Sequence, residues 1–512
     1  MSSASSMILA CHSGLDTPSK EQPRDPNSSH SQREIDPEKG AARDSKLRSE
    51  VASVAFNGPN DPDHPHNWST LKKLSCLVTI NLMIFAVSFS SSIFGTASSK
   101  LKDEFNVPNV VVHLDVALFV AGFSVGPLFF APMSDIAGHL PPCVIGFTAC
   151  GLSQIPLGLS NKFTVILICR FLAGAFGSSM VACGSGMTAE MYEPLSRAVP
   201  LAFGATMINI GSTVSPTAGS YIVARYGWRW TGWVTLILFA AIGVIMVVAL
   251  RETSPTHILV ARARRLRATG GEEAHKAKAP FENEAVNFRV IARKYFARPV
   301  KLICKEPILI ILTVHLTFVY GTLFLTYQLF PYAFRQRGWS ATTSSLPFIA
   351  VALGVISAPG IVSIFTLTWW KWRWLERGCA SEPEDRLPPM ILGAVIVPVA
   401  LLWFGWSMNV HWISQVLAGY FIGLGLQLIF ISGLVYMVEV YITCANSAVS
   451  IHIAVRSFAA ASFPLWAQPM YETLGVEYAA TTLAVFSALL LAFPILFFKM
   501  GLKIRNWSTF AQ

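Results

Sequence analysis

The chain has 512 residues, of which 53% are hydrophobic and only 13% charged, and its formal net charge is +10. A soluble domain carries about 25% charged residues, so this chain lacks the polar skin that a water-soluble globule of its length needs, and lipid is the expected solvent. The excess cations lie beside apolar stretches, which points to an anionic leaflet rather than nucleic acid as their partner.

In chain order, residues 1–73 come first. The apolar run in MSSASSMILACHSG is too short for a secretory signal core. The Ser, Pro and charge content that follows reads as a disordered tail, so the first hydrophobic segment, near Leu74, is expected to act as an uncleaved signal anchor. A membrane-crossing helix needs roughly 20 apolar residues. Six segments come close to that before the next polar block, at 74–96, 110–133, 143–159, 163–188, 198–223 and 231–250. Six more follow it, at 307–332, 345–369, 388–406, 412–438, 447–467 and 479–498. The expected fold class is therefore an all-α membrane protein with twelve transmembrane helices. Its expected divisions are a tail (1–73), a six-helix bundle (74–250), a basic loop (251–305), a second six-helix bundle (306–499) and a short tail (500–512).

Between Arg251 and Lys305 stand thirteen Lys or Arg residues, among them ARARRLR. Cations collect on the cytoplasmic side, so this block and both termini are expected inside, while GLSNK, SMNVH and MYETLGVEY are expected outside. HILVARARRLRATGG reads either as a helix lying on the inner leaflet or as a solvated basic loop. The nine cysteines form no CxxC pair, so neither a disulfide framework nor a zinc site is indicated. With no Walker loop or HExxH either, no metal, cofactor, ATP site or enzyme activity is expected. GFSVG (122–126) matches a nucleophile elbow only as letters, since that motif needs a strand-to-helix turn and this one lies in an apolar helix.

Several polar residues lie at membrane depth, where an arginine costs about 2.5–3.5 kcal/mol at mid-bilayer and is kept where it has a partner or a wet cavity. Arg170 stands in VILICRFLAGAFGSSMVACGSGMTAEM. There Ala173, Gly177 and Gly174, Ser178 repeat at four-residue spacing and invite a closely packed helix, so Arg170 is expected to face the bundle interior. Asp115 and Arg456 sit in the second and eleventh segments. Asn81, Asn209, His315, Gln328, Gln415 and Gln427 add hydrogen-bonding groups, each of which could equally serve helix–helix contact. Their spread over many segments favours a central polar cavity. Gly122/Gly126 and Gly419/Gly423 form GxxxG pairs. Gly211, Ser215 and Gly219, with Pro216 between them, suit either a flexing helix or close packing.

Taken together, residues 61–503 resemble the major facilitator superfamily, in particular its fungal drug:proton antiporter branch with twelve spans. The resemblance rests on DPDHPHNWS, GPLFFAPMSDIAGHLPP, RFLAGAFGSSMVACGSGMTAEMYEPLSR, GWRWTGWV, RETSPTHILVARARRLRATGG, VYGTLFLTYQLFP and RLPPMILGAVIVPVALLWFGWS. It implies two pseudo-symmetric six-helix halves rocking about a midplane site, and proton-driven export. By position, Arg170 matches the family's fourth-span arginine linked to proton coupling, and Asp135 the loop aspartate that locks one conformation. Glu190 and Arg197 match a charged pair ending the fourth span, and Gly211, Pro216 and Gly219 fall in the antiporter motif. Two departures stand out. His139 followed by LPP replaces the usual basic run, where a weakly titrating histidine would make the gate pH-sensitive, and MINIGSTVSPTAGS has lost several motif glycines.

The expected activity is efflux of a small amphipathic organic compound in exchange for protons across the plasma membrane, by a monomer. Asp115 is the candidate proton carrier, because charge on a poorly solvated carboxylate is costly; Arg170 is its expected charge partner, and Arg456 the second half's counterpart. Tyr320, Phe324, Tyr327 and Phe330 are expected to wall the cavity, with Gln328 offering a hydrogen bond. The alternative is uptake of a polyamine or similar solute by the same fold.

Overall fold

In the computed structural model, residues 54–58, 60–192, 197–269, 298–377, 382–441, 445–506 and 508 are described. Helix α1, Thr70–Ile93, starts on a Ser69 cap that accepts the Lys72 N–H. There follow α2, Leu114–Ala137, α3, Leu140–Leu152, and α4, Gln154–Leu159. The first half is completed by α5, Phe163–Met191, α6, Ala198–Tyr226, and α7, Arg229–Ala249. Helix α8, Pro255–Thr269, is the helical form of HILVARARRLRAT. The second half holds α9, Pro307–Gln336, α10, Phe348–Phe365, α11, Pro388–Trp406, and α12, Trp412–Val440. It ends with α13, Ala445–Ala460, α14, Phe463–Leu490, and α15, Ala492–Arg505. Proline opens α9 and α11, where its missing N–H costs no helical bond.

Ten stretches among the described residues are long and apolar enough to cross a membrane. The last, Ser447–Arg505, runs 59 residues, far beyond one bilayer, and turns back at Gly475, whose φ of 73° breaks α14. It therefore makes two crossings. The 29-residue α6 is one more, giving the expected twelve. An outer link is expected at MYETLGVEY (470–478), but helix runs on to Gly475. Pro464, in the first turn of α14, is harmless to the helix, and the positive φ at Gly475 is what stops it.

Burial is inverted relative to a soluble protein. Val247 and Val244 on α7 are 76% and 68% exposed, while Arg170, Asp115 and Gln427 are fully buried. Lipid replaces water at the apolar rim, so packing inside relies on small residues and polar contacts. The two halves repeat this device. In the first, a Cβ on Gly122 or Gly126 would strike the α5 backbone, and one on Gly174 would strike Phe119 O of α2. In the second, Gly354 of α10 and Gly423 of α12 abut the Tyr420 and Val351 carbonyls in the same way. The expectation that Gly174 and Ser178 admit a close helix thus finds its partner in α2. Gly174→Ala is expected to cost about 1–3 kcal/mol, the scale of overpacking a tight core. Gly243→Ala on α7, where nothing lies within 4 Å, should leave stability unchanged or slightly improved. Melting of the two purified variants checks the contrast.

All but a small part of this belongs to one unit, Asn57–Ile258, Ala285–Phe365 and Pro383–Gln512. A second unit comprises Met1–Phe56, Leu259–Glu284 and Thr366–Glu382. Within it Val54, Leu259 and Ala263 pack together, and Thr366–Trp370 winds as a π-helix before Lys371–Glu376. The expected disordered tail and most of the basic loop lie outside the described residues.

Candidate functional site

Short connections make neighbouring helices antiparallel, so each helix has one end near the α7–α8 connection (the linker end) and one at the far end. A cavity of about 500 Å³ opens at the linker end. Its walls come from both halves: Asn81 and Ile84 of α1, Pro132 of α2, Val181 of α5, Leu201 of α6, Phe430 and Leu434 of α12, and Ile453 and Arg456 of α13. Exposed Asp135 and half-buried Arg197 stand at its mouth.

At the far end the halves are sealed. Thr213 Oγ1 and Tyr327 OH are 3.1 Å apart, Thr217 Oγ1 donates to Ser345 O at 2.8 Å, and the Ser220 and Ser345 hydroxyls meet at 2.6 Å. His113 Nε2 and Gln468 Oε1 lie 3.1 Å apart. Val116, Val120, Tyr320, Phe324, Ala460 and Ala461 form an apolar plug in this seal. Just above the cavity, Asn209 Nδ2 donates to Gln427 Oε1, and Gln427 Nε2 to Thr206 Oγ1 at 3.1 Å. One end open and the other closed is one of the two states that alternating access requires.

This arrangement sorts the residues expected in the cavity. Asn81 lines it, whereas Asn209 is not among the lining residues and bonds Gln427 instead, and the aromatic residues of α9 do not wall it. Tyr320 and Phe324 belong to the plug and Tyr327 to the hydrogen-bonded seal. Gln328 Nε2 donates to Pro464 O at 3.1 Å. Phe330 stacks on Phe404, centroids 4.4 Å apart, inside the second half's own core. Helix α9 is apolar on every side, so its sequence does not mark which face meets the cavity. Gly211 and Gly219 face α1, where a Cβ would approach Phe85 O to 2.6 Å and Ile93 O to 3.0 Å, and Pro216 lies within α6 between them. The α1–α6 contact is therefore backbone-close.

Arg170 is buried, as expected, but its partners differ from those expected. Nη1 donates to Ser90 O at 2.7 Å, Nη2 to Ser91 O at 2.5 Å and Nε to Asp115 O at 3.2 Å. Its Cζ sits 5.1 Å from the Phe94 ring and 4.6 Å from that of Phe119. Ser90 and Ser91 are in the last turn of α1, where carbonyls have no intrahelical donor and a cation is favoured by the helix dipole. Arg170 thus caps α1 and ties it to α2 and α5. The Arg170 and Asp115 charges act on each other as expected, but without a direct ion pair: Asp115 offers Arg170 its backbone carbonyl. Its Oδ1 accepts the Val116 N–H at 2.5 Å, and its buried Oδ2 has no hydrogen-bond partner.

At the linker end Glu190 pairs with His139 rather than Arg197: His139 Nε2 lies 3.1 Å from Glu190 Oε2, which also accepts Thr253 Oγ1 at 3.0 Å. Ser134 holds the other ring nitrogen. Glu252, a residue the sequence reading did not single out, accepts four N–H groups. They come from His139 (3.0 Å), Leu140 (2.9 Å), Thr253 (3.1 Å) and Ser254 (3.0 Å), which join the start of α3 to the start of α8. Gly138 permits this twice over, with φ of 88° and no Cβ to strike Glu252. The second half repeats the cluster with Arg386 Nε 2.9 Å from Glu439 Oε1. The recurrence of HLPP as RLPP and of AEMY as VEVY is the sequence signal that marks both.

Burial opposes charge on His139, but contact with Cys183 and the Glu190 carboxylate outweigh it and its pKa is pushed up to about 10. This favours the protonated form of His139, paired with Glu190, at neutral pH. A raised folded-state pKa stabilises fully below the unfolded value of about 6.5, and that stabilisation fades as pH rises through 10. The melting difference between the parent protein and His139→Gln is therefore expected to be largest below pH 6.5, to shrink steadily, and to vanish above pH 10 in a pH series.

A family model described as Major Facilitator Superfamily matches residues 80–464. The chain is 38% identical over 464 residues, 90% of its length and 89% of the other's, to the ascochitine biosynthesis cluster MFS transporter of Didymella fabae. It is 36% identical over 467 residues, 90% of its length and 93% of the other's, to a citrinin biosynthesis cluster MFS transporter of Monascus ruber. A multidrug transporter of Candida glabrata is 33% identical over 460 residues, 89% of this chain and 80% of that one. Among solved structures, the human organic anion transporter MFSD10 aligns with a TM-score of 0.55 at 15% identity. The alignment covers 83% of this chain and 100% of that one, a likeness of fold alone.

Proposed function

The chain belongs to the major facilitator superfamily, and on that premise we propose that this multi-pass membrane transporter exports a small amphipathic organic compound in exchange for protons. The observation that carries the reading is the cavity shared by both halves, open at the linker end and hydrogen-bonded shut at the far end. The sequence that follows α7 at the linker end, Arg251 to Lys305, holds thirteen Lys or Arg, and positive loops stay inside. The open mouth then faces the cytoplasm, both termini are cytoplasmic, and the cargo loads from within. That similar proteins are named for citrinin and ascochitine biosynthesis clusters and for multidrug transport supports a secondary metabolite or drug as cargo; the proposed site of action is the plasma membrane.

In this reading Asp115 carries the proton, Arg170 fixes the helices around it, and the His139–Glu190 and Arg386–Glu439 pairs, with Asp135 at the mouth, hold the linker end in its present state. The monomer suffices, because the cavity is completed within one chain. The test is accumulation of citrinin, 2-naphthoate or 2-naphthamide by proteoliposomes with an acid interior. A weak acid distributes passively away from an acid compartment, so its inward accumulation, abolished by nigericin, is the expected result. No accumulation of any of the three above protein-free liposomes would overturn proton-driven export.

A further inference from the structure

We infer that the cavity is built for an organic anion, whose carboxylate or equivalent acidic oxygen docks on Arg456. The inference rests on the proposed export of a small organic compound and adds the charge of that compound. Arg456 lines the cavity from α13, yet it is only 2% exposed. Its Nε and Nη1 have no hydrogen-bond partner among the described residues. A guanidinium cannot shed its proton to escape this, and burying an ion unpaired costs several kcal/mol.

Arg170 makes the contrast. It is just as deeply buried, but three carbonyls accept from it. Arg456 instead has its Cζ 4.3 Å from the Tyr320 ring and 5.0 Å from the Phe430 ring. Such contacts hold a cation by its face and supply no hydrogen-bond acceptor in its plane, so an anionic oxygen is the partner it lacks. Asp135 is the single carboxylate among the lining residues, and it stands exposed at the mouth. Arg456 lies nine residues beyond Ser447, about 13 Å deeper along the helix. The depth of the cavity is therefore cationic and its walls, with Ile84, Leu201, Phe430 and Leu434, are apolar. A compound of one acidic group on an apolar body fits both. Asn81 adds a detail: its Nδ2 is committed to Leu77 O at 2.8 Å while Oδ1 has no partner, which suits a hydroxyl on the same compound.

The test uses the purified full-length protein and three probes on one scaffold: 2-naphthoate, neutral 2-naphthamide and cationic 2-naphthylmethylammonium, titrated by tryptophan fluorescence at pH 7.5. The parent protein is expected to bind 2-naphthoate at least tenfold more tightly than either of the others. Arg456→Gln is expected to erase that preference, and Arg456→Lys to keep part of it, with gel filtration and melting confirming the fold. Equal affinities in the parent protein, preference for the cation, no binding of any probe, or a preference that survives Arg456→Gln would each overturn the inference. If Arg456→Gln does not fold, the parent ranking and Arg456→Lys decide. Anion preference without gradient-driven flux would overturn the export reading and leave this inference standing; flux without anion preference would do the reverse.

Discussion

Arg170→Ala is expected to yield little or no folded protein. The substitution strips donors from Ser90 O, Ser91 O and Asp115 O in one stroke, all in a fully buried setting. Each buried acceptor left without a partner costs about 1–3 kcal/mol, so three approach the roughly 5–15 kcal/mol that holds a typical domain together. The contacts with Phe94 and Phe119 go as well. Arg170→Lys keeps the charge but loses the planar fork, and should fall between the two. Fluorescence-detected gel filtration of tagged variants gives the measurement. A monodisperse Arg170→Ala protein with the parent's melting temperature would mean that Arg170 does not hold α1, α2 and α5 together, and would return it to a purely proton-coupling role.

The twelve crossings and the burial of Arg170 could be read from residue order because lipid imposes two blunt rules, about 20 apolar residues per crossing and few unpartnered ions. The small-residue spacing in α5 was equally legible, since only Gly174 lets the α2 backbone come so near. Partner identity was not. Asp115 and Arg170 carry opposite charge in adjacent helices, so the sequence suggests an ion pair. The two charges do act on each other, but the guanidinium's hydrogen bonds go to backbone carbonyls, two of them ending α1, acceptors that every sequence has and none displays. Likewise Phe330 and Tyr327 are one turn apart on α9, yet one is in the second half's core and the other in the seal. In a helix apolar all round, hydrophobicity does not separate those faces. The latch pairs were available but hidden in the internal repeat, where His139 and Arg386 hold equivalent positions before LPP.

Asp115→Asn is expected to abolish gradient-driven accumulation in proteoliposomes, lowering the initial rate at least tenfold, while exchange of unlabelled for labelled compound without a gradient continues. The reasoning starts from Oδ2, which is buried and has no partner. A polar atom in that state is costly to keep unless something binds it, and a proton is the smallest thing that can. Asn preserves the shape and the Oδ1 acceptor for the Val116 N–H but cannot exchange a proton, so it separates proton coupling from solute movement. Position makes the coupling mechanical. The Asp115 carbonyl is one of the three groups held by Arg170, and the next residue, Val116, is in the apolar plug that shuts the far end. A change of charge at Asp115 therefore acts at the joint between a fixed cap and a movable seal. The same substitution should lower the melting temperature far less than Arg170→Ala, because it keeps the side chain's shape and the Val116 contact. If Asp115→Asn still concentrates the probe against the pH gradient, the proton travels elsewhere, and Asp115 is only a part of the seal.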